Sequence, residues 1–247
     1  MMLGLSAPIR LSDLGIIAIL SGLGILIATP LSRAGSQDQL CDVRADYALR
    51  VEDYPRAIAL HLKLLRSDSH DALAHYHLGF AYAMVGDSAK EVSEYTEAVR
   101  LGLEQWDLFM NLGLAYLDQE ELGKAISTLE IAALLGPGHP ETHFNLALAY
   151  ERNHRLPDAL WEISASLRLA PNDPDEHNTR AIIYAELGNR KCARDEWARL
   201  LQVAPDYIPA RANLAILDHP TMSAPELAQR PEGRPLLTEI EPQSLSR

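Results

Sequence analysis

The sequence predicts an all-α protein built as a solenoid of five to six helical hairpins. Two observations carry that prediction. The hexapeptide Asn-Leu-Gly-Leu-Ala-Tyr at residues 111–116 recurs as Asn-Leu-Ala-Leu-Ala-Tyr at 145–150, 34 residues later. The same step then joins Tyr82, Tyr116, Tyr150 and Tyr184, and three positions earlier the small residues Gly79, Gly113, Ala147 and Ala181, ending at Ala215. Ala57, Ala125, Ala159 and Ala193 make a further series on this step, and Pro137, Pro171 and Pro205 close three of the units. A fixed period of this size marks units that cannot bury their apolar faces alone and must stack on their neighbours.

The unit at 106–139 contains the whole design. Between Phe109 and Leu117 the apolar residues fall at helical spacing, with Leu112, Ala115 and Tyr116 on one face. Gly113 on that helix is small enough for a second helix to approach closely. A polar stretch at 118–123 interrupts the pattern, and Ala125, Leu129, Ala132 and Ala133 form the stripe of a second helix. Gly136 and Pro137 stop that helix, because proline can neither donate to it nor fit inside it. Leu112 and Leu146 are expected between successive hairpins.

These residues resemble the tetratricopeptide repeat, whose 34-residue unit favours small residues at positions 8, 20 and 27, tyrosine at 11 and proline at 32. The register places units at 72–105, 106–139, 140–173 and 174–207, a linker and degenerate first unit at 35–71, and a terminal helix at 208–218. Departures are Glu91 at position 20, and Ser166 and Leu200 at position 27, where looser local packing is expected. The tryptophan usual at position 4 is replaced by His75, Phe109, His143, His177 and Arg211.

The resemblance implies a right-handed superhelix that binds polypeptides along the concave face of its first helices. Positions 2, 5, 6, 9, 12 and 13 face that groove in the family. Position 6 reads His77, Asn111, Asn145, Thr179 and Asn213, and an amide can both donate to and accept from an extended backbone. Positions 5 and 9 supply Tyr76, Phe80, Met110, Leu114, Phe144 and Leu148, and Asp107, Glu141 and Asp175 occupy position 2. The lysine of the family's carboxylate clamp is missing from these positions. The expected guest is therefore an extended segment with apolar and some basic side chains, lying along Tyr76 to Asn145. The alternative is that position 9 belongs to internal packing and the asparagines merely cap helix contacts.

Composition narrows the function. The chain of 247 residues carries a formal charge of −12, and no cluster of Lys and Arg suits phosphate contacts, so nucleic acid is excluded as a partner. No Gly-rich phosphate loop, Gly-x-Ser-x-Gly elbow or Cys-x-x-Cys is present, and neither an enzyme activity, a small-molecule substrate, a cofactor nor a metal is expected. His75 and His77 sit two apart and point to different faces of a helix. His139 and His143 are four apart, a spacing zinc can use. Pro140, however, holds His139 at the helix cap, and His143 takes a packing position. A catalytic subunit using this pair is the remaining enzyme reading.

The two ends differ from the repeats. Residues 14–29 are almost wholly apolar, preceded by Arg10 and followed by Pro30 and the small residues Ser32 and Ala34. Sixteen residues fall short of the roughly 20 that span a bilayer, so residues 1–34 read as a secretory signal cleaved before Gly35 or as a membrane anchor. Either places the repeats outside the cytoplasm, periplasmic or secreted, as in bacterial envelope scaffolds and adaptors. The alternative is an adaptor or chaperone tethered on the cytoplasmic side by an uncleaved helix. Leu40 before Cys41 argues against lipidation, and Cys41 and Cys192 lie too many repeats apart to pair. The Pro-rich tail at 219–247 is expected to be mobile, or to lay Leu236, Leu237 and Ile240 over the open end of the stack.

Overall fold

A computed structural model describes residues 41–218 of the chain. The leader and the Pro-rich tail, with the expectations attached to them, lie outside the described residues. Eleven α-helices and no strand make up the described part. The first hairpin is α1 (Val43–Arg50) with α2 (Tyr54–Ser67), followed by α3 (Ala72–Met84) with α4 (Ser88–Arg100). Next come α5 (Trp106–Asp118) with α6 (Leu122–Leu135), and α7 (Pro140–Arg152) with α8 (Leu156–Leu169). The last are α9 (Pro174–Glu186) with α10 (Arg190–Val203), and the unpaired α11 (Ile208–Asp218). Each helix packs on its neighbours in chain order, and first helices also touch across hairpins, α3 on α5 and α5 on α7. This is an α-solenoid of helical hairpins.

Local chemistry sets the boundaries. Asp42, Asp53, Asp71, Asp87, Asp173 and Asn189 each accept a backbone N–H at a helix start. The turns inside the hairpins pass through a left-handed residue at Glu52, Gly86, Glu120, His154 and Gly188, again on the 34-residue step. Such a turn needs only three residues, so the break between α5 and α6 is 119–121, shorter than the polar stretch 118–123 suggests. Pro137, Pro171 and Pro205 follow two residues after α6, α8 and α10 end.

Close approach explains the small-residue series. A Cβ on Gly79 would lie 2.6 Å from the ring of Tyr95, and one on Gly113 would lie 2.6 Å from Leu129 Cγ. In the next two units alanine fits, because Ala147 shares its cluster with Ile163 and Ala181 with Trp197. Ala57, Ala125, Ala159 and Ala193 are fully buried. Leu112 and Leu146 are buried as expected. The looser packing expected at Ser166 and Leu200 is not seen. Leu200 is buried in the cluster around Trp197, and the enclosed Ser166 hydroxyl lies 2.7 Å from the Pro140 carbonyl oxygen and 2.8 Å from Glu176 Oε1. A hydroxyl that finds partners on both adjacent helices replaces the missing methyl contact.

Candidate functional site

The first helices α3, α5 and α7 touch in succession, and seven of the residues expected in the groove are half-buried on them. Phe80, Asp107, Leu114, Glu141, Phe144, Asn145 and Leu148 are in that state. Leu114 and Phe144 lean on the central core without being enclosed by it. Four of the seven are apolar, two are carboxylates and one is an amide.

Five residues expected in the groove are instead buried: Tyr76, His77, Met110, Asn111 and Asn213. Asn111 donates to the Tyr76 hydroxyl of the preceding hairpin at 3.2 Å. The fully enclosed Asn213 donates to Asn178 Oδ1 at 3.0 Å, and the same oxygen accepts from Trp197 Nε1 at 2.9 Å. These amides join adjacent repeats, because the first helices touch where position 6 of one meets position 5 of the one before. Met110 belongs to the central core. Thr179 bonds back to the Asp175 carbonyl of its own helix at 2.9 Å, and His77 turns toward α1. At position 2 Asp175 accepts from the Tyr207 hydroxyl. Tyr76, pushed well above its ordinary range by burial first and by the charge of Asp107 next, stays a neutral phenol.

Carboxyl groups that no single motif marks gather at the helix ends. Burial and then the charge of Asp118 push Glu91 up to about 7. Burial likewise raises Asp118, against the pull of Arg152. Glu151 is raised by burial while hydrogen-bonded to Glu186. Each of these carboxyls holds its proton more tightly than in water because burial disfavours the charged form. The signal in the sequence was weak: positions 12, 13 and 20 are read as a group only once neighbouring repeats are side by side.

The position-4 histidines form a repeated latch. His75, His143 and His177 place Nδ1 at 2.6, 2.7 and 2.6 Å from Glu94, Glu162 and Glu196 on the second helix of their own hairpin. Their Nε2 atoms face the carbonyl oxygens of Ser69, Pro137 and Pro171. Arg211 reaches the corresponding Pro205 carbonyl in the last unit. His139 stacks on Trp106 with ring centroids 3.6 Å apart and pairs with Glu141. His139 and His143 are thus committed to different carboxylates, and the geometry does not bring them together as a metal or catalytic pair. His75 and His77 likewise diverge, to Glu94 and Asp46.

The latch makes stability depend on pH. The Glu162 hydrogen bond, against the opposing cost of burial and the repulsion of Arg168, raises His143 above its ordinary value. A group raised on folding contributes stability that is full below its unfolded value, about 6.5, and is lost as pH rises through the folded value. The Tm advantage of wild type over His143→Gln should therefore shrink as pH rises above about 6.5. An advantage that stays constant or grows over this range would contradict the charged latch.

A stack of helical hairpins on a fixed 34-residue step defines a helical-repeat protein. The chain belongs to the tetratricopeptide repeat family, whose model matches residues 43–107 and 110–174. Among solved structures it is similar to YrrB, described as a tetratricopeptide repeat protein with an unusual peptide-binding site. The identity is 26%, over 68% of this chain and 87% of that one, with a TM-score of 0.65. It is also similar in fold to MamA, at 20% identity over 65% of this chain and 94% of that one, TM-score 0.62. MamA from Desulfovibrio magneticus RS-1 aligns at 18% identity over 66% of this chain and 92% of that one, TM-score 0.62. No curated protein matches the chain.

Proposed function

We propose that the chain is a non-enzymatic scaffold that holds an extended polypeptide with apolar and basic side chains against α3, α5 and α7. The observation that carries this is the half-buried strip Phe80, Leu114, Phe144 and Leu148 beside Glu141 and Asn145. Apolar side chains left uncovered in a row, next to acidic groups, favour a guest that supplies both methyl groups and positive charge. The likeness to YrrB supports a peptide as the guest. Linear peptides selected from a display library should be enriched in Lys or Arg interleaved with apolar residues. Glu141→Gln with Asn145→Ala should weaken their binding about tenfold, the loss of roughly 1.4 kcal/mol, with the Tm nearly unchanged. Undiminished binding by that folded variant would remove the groove from the proposal.

We also place the repeats outside the cytoplasm, within an envelope assembly, on the strength of the apolar leader and the small residues Ser32 and Ala34. Intact mass of the protein from a secreting host checks this: a chain beginning at Gly35 supports a cleaved signal, and an intact leader supports an anchor. No helix among the described residues is long and apolar enough to cross a membrane. A reporter after Arg247 active only in the cytoplasm would overturn the placement.

A further inference from the structure

At the N-terminal end of the stack four side chains from separate elements converge: Cys41 just before α1, Asp46 on α1, His61 on α2 and His77 on α3. One ligand atom from each lies within 4.8 Å of all the others. Cys41 Sγ is 3.3 Å from His77 Nδ1, 3.7 Å from His61 Nδ1 and 3.4 Å from Asp46 Oδ1. His77 Nδ1 is 2.9 Å from Asp46 Oδ1. Tetrahedral zinc, with bonds of about 2.3 Å to sulfur and about 2.0 to 2.1 Å to nitrogen and oxygen, sets its ligand atoms roughly 3.3 to 3.6 Å apart. The observed spacings bracket that range.

As a network of protein groups alone the cluster is poorly satisfied. His61 is fully enclosed and His77 and Asp46 nearly so, yet His61 Nε2 and Asp46 Oδ2 have no hydrogen-bond partner among the described residues. Buried polar atoms are seldom left so. A catalytic triad does not account for it, since cysteine and aspartate face the same nitrogen of His77, whereas a triad uses both ring nitrogens. Asp71 acts electrostatically on Cys41, and Asp42 and Asp71 both act on His61, adding negative charge around the cluster. Cys41, only half-buried, leaves a route inward for an ion.

We propose that Cys41, Asp46, His61 and His77 bind one zinc ion in a closed, structural site that ties α1 to α2 and α3. Four protein ligands of this softness suit zinc, and a full set leaves no open position for chemistry. A zinc-bound His61 offers a neutral ring nitrogen, and Cys41 gives up its proton to solvent as the Zn–S bond forms, one H⁺ released per ion. The site lies at the end of the stack, where α1, eight residues long, is the first described helix. Such a fastening would steady the first described hairpin, which has no described hairpin before it to pack on.

The test uses the full chain, purified in mild detergent without a polyhistidine tag and stripped with a chelator. Cobalt(II) should bind at one equivalent with the intense visible bands of a tetrahedral ion and a near-ultraviolet thiolate charge-transfer band, both bleached by zinc. Zinc should raise the Tm by several degrees. Cys41→Ser should abolish the charge-transfer band, and Cys192→Ser should leave it intact. Pale octahedral cobalt, no binding, or loss of the band in Cys192→Ser rather than Cys41→Ser would each overturn the proposal. The wild-type spectrum decides the matter even if a variant misfolds.

Discussion

Trp197→Ala should destabilise the C-terminal hairpins by about 3 to 5 kcal/mol, the usual cost of emptying a large enclosed aromatic site. The indole is 1% exposed and sits among Ala181, Ile182, Leu200, Ala210 and Leu217 from three successive helices. Its Nε1 also donates to Asn178, the oxygen that receives Asn213 from α11. One substitution therefore opens a cavity and loosens the hydrogen-bonded link from α9 to α11. Trp161 provides the control, since at 70% exposure its removal should change stability by no more than about 0.5 kcal/mol. Urea unfolding followed by circular dichroism compares the two. Equal effects would mean that Trp197 is not the keystone its packing implies.

Leu112→Ala should cost about 2 to 5 kcal/mol and, beyond that, divide the molecule. Leu112 is 5% exposed and packs with Leu108 of its own helix and with Tyr76 and Tyr95 of the preceding hairpin. In a stack where each unit touches only its neighbours, weakening one interface uncouples the sides. Hydrogen exchange should show residues 43–100 opening more readily than the remainder in the variant and together with it in wild type. A single unchanged transition, with exchange altered evenly along the chain, would contradict nearest-neighbour coupling.

The fold was legible because each repeat solves the same packing problem with the same residue types. Gly79 and Gly113 mark where Tyr95 and Leu129 press closest, and the prolines mark where second helices stop. The groove was only partly legible. Asn111 and Asn213 look like free amides in one repeat and prove to be links once the neighbouring helix is in place. Asn145, at the position that is buried in Asn111 and Asn213, stays half-buried, as does Phe144 at the position buried in Tyr76 and Met110. The cluster of Cys41, Asp46, His61 and His77 was invisible to spacing, because its members come from four separate places in the chain. His139 and His143, whose four-residue spacing zinc can use, each pair with their own glutamate instead.

The direct test of the scaffold reading is site-specific photocrosslinking in intact cells, with a photoreactive residue at Leu114 or Phe144 on the first-helix wall, or at Trp161 on a second helix. The account predicts crosslinks to polypeptide from Leu114 and Phe144, mapping to an extended segment rich in apolar and basic residues, and none from Trp161. Crosslinks confined to Trp161 would contradict it.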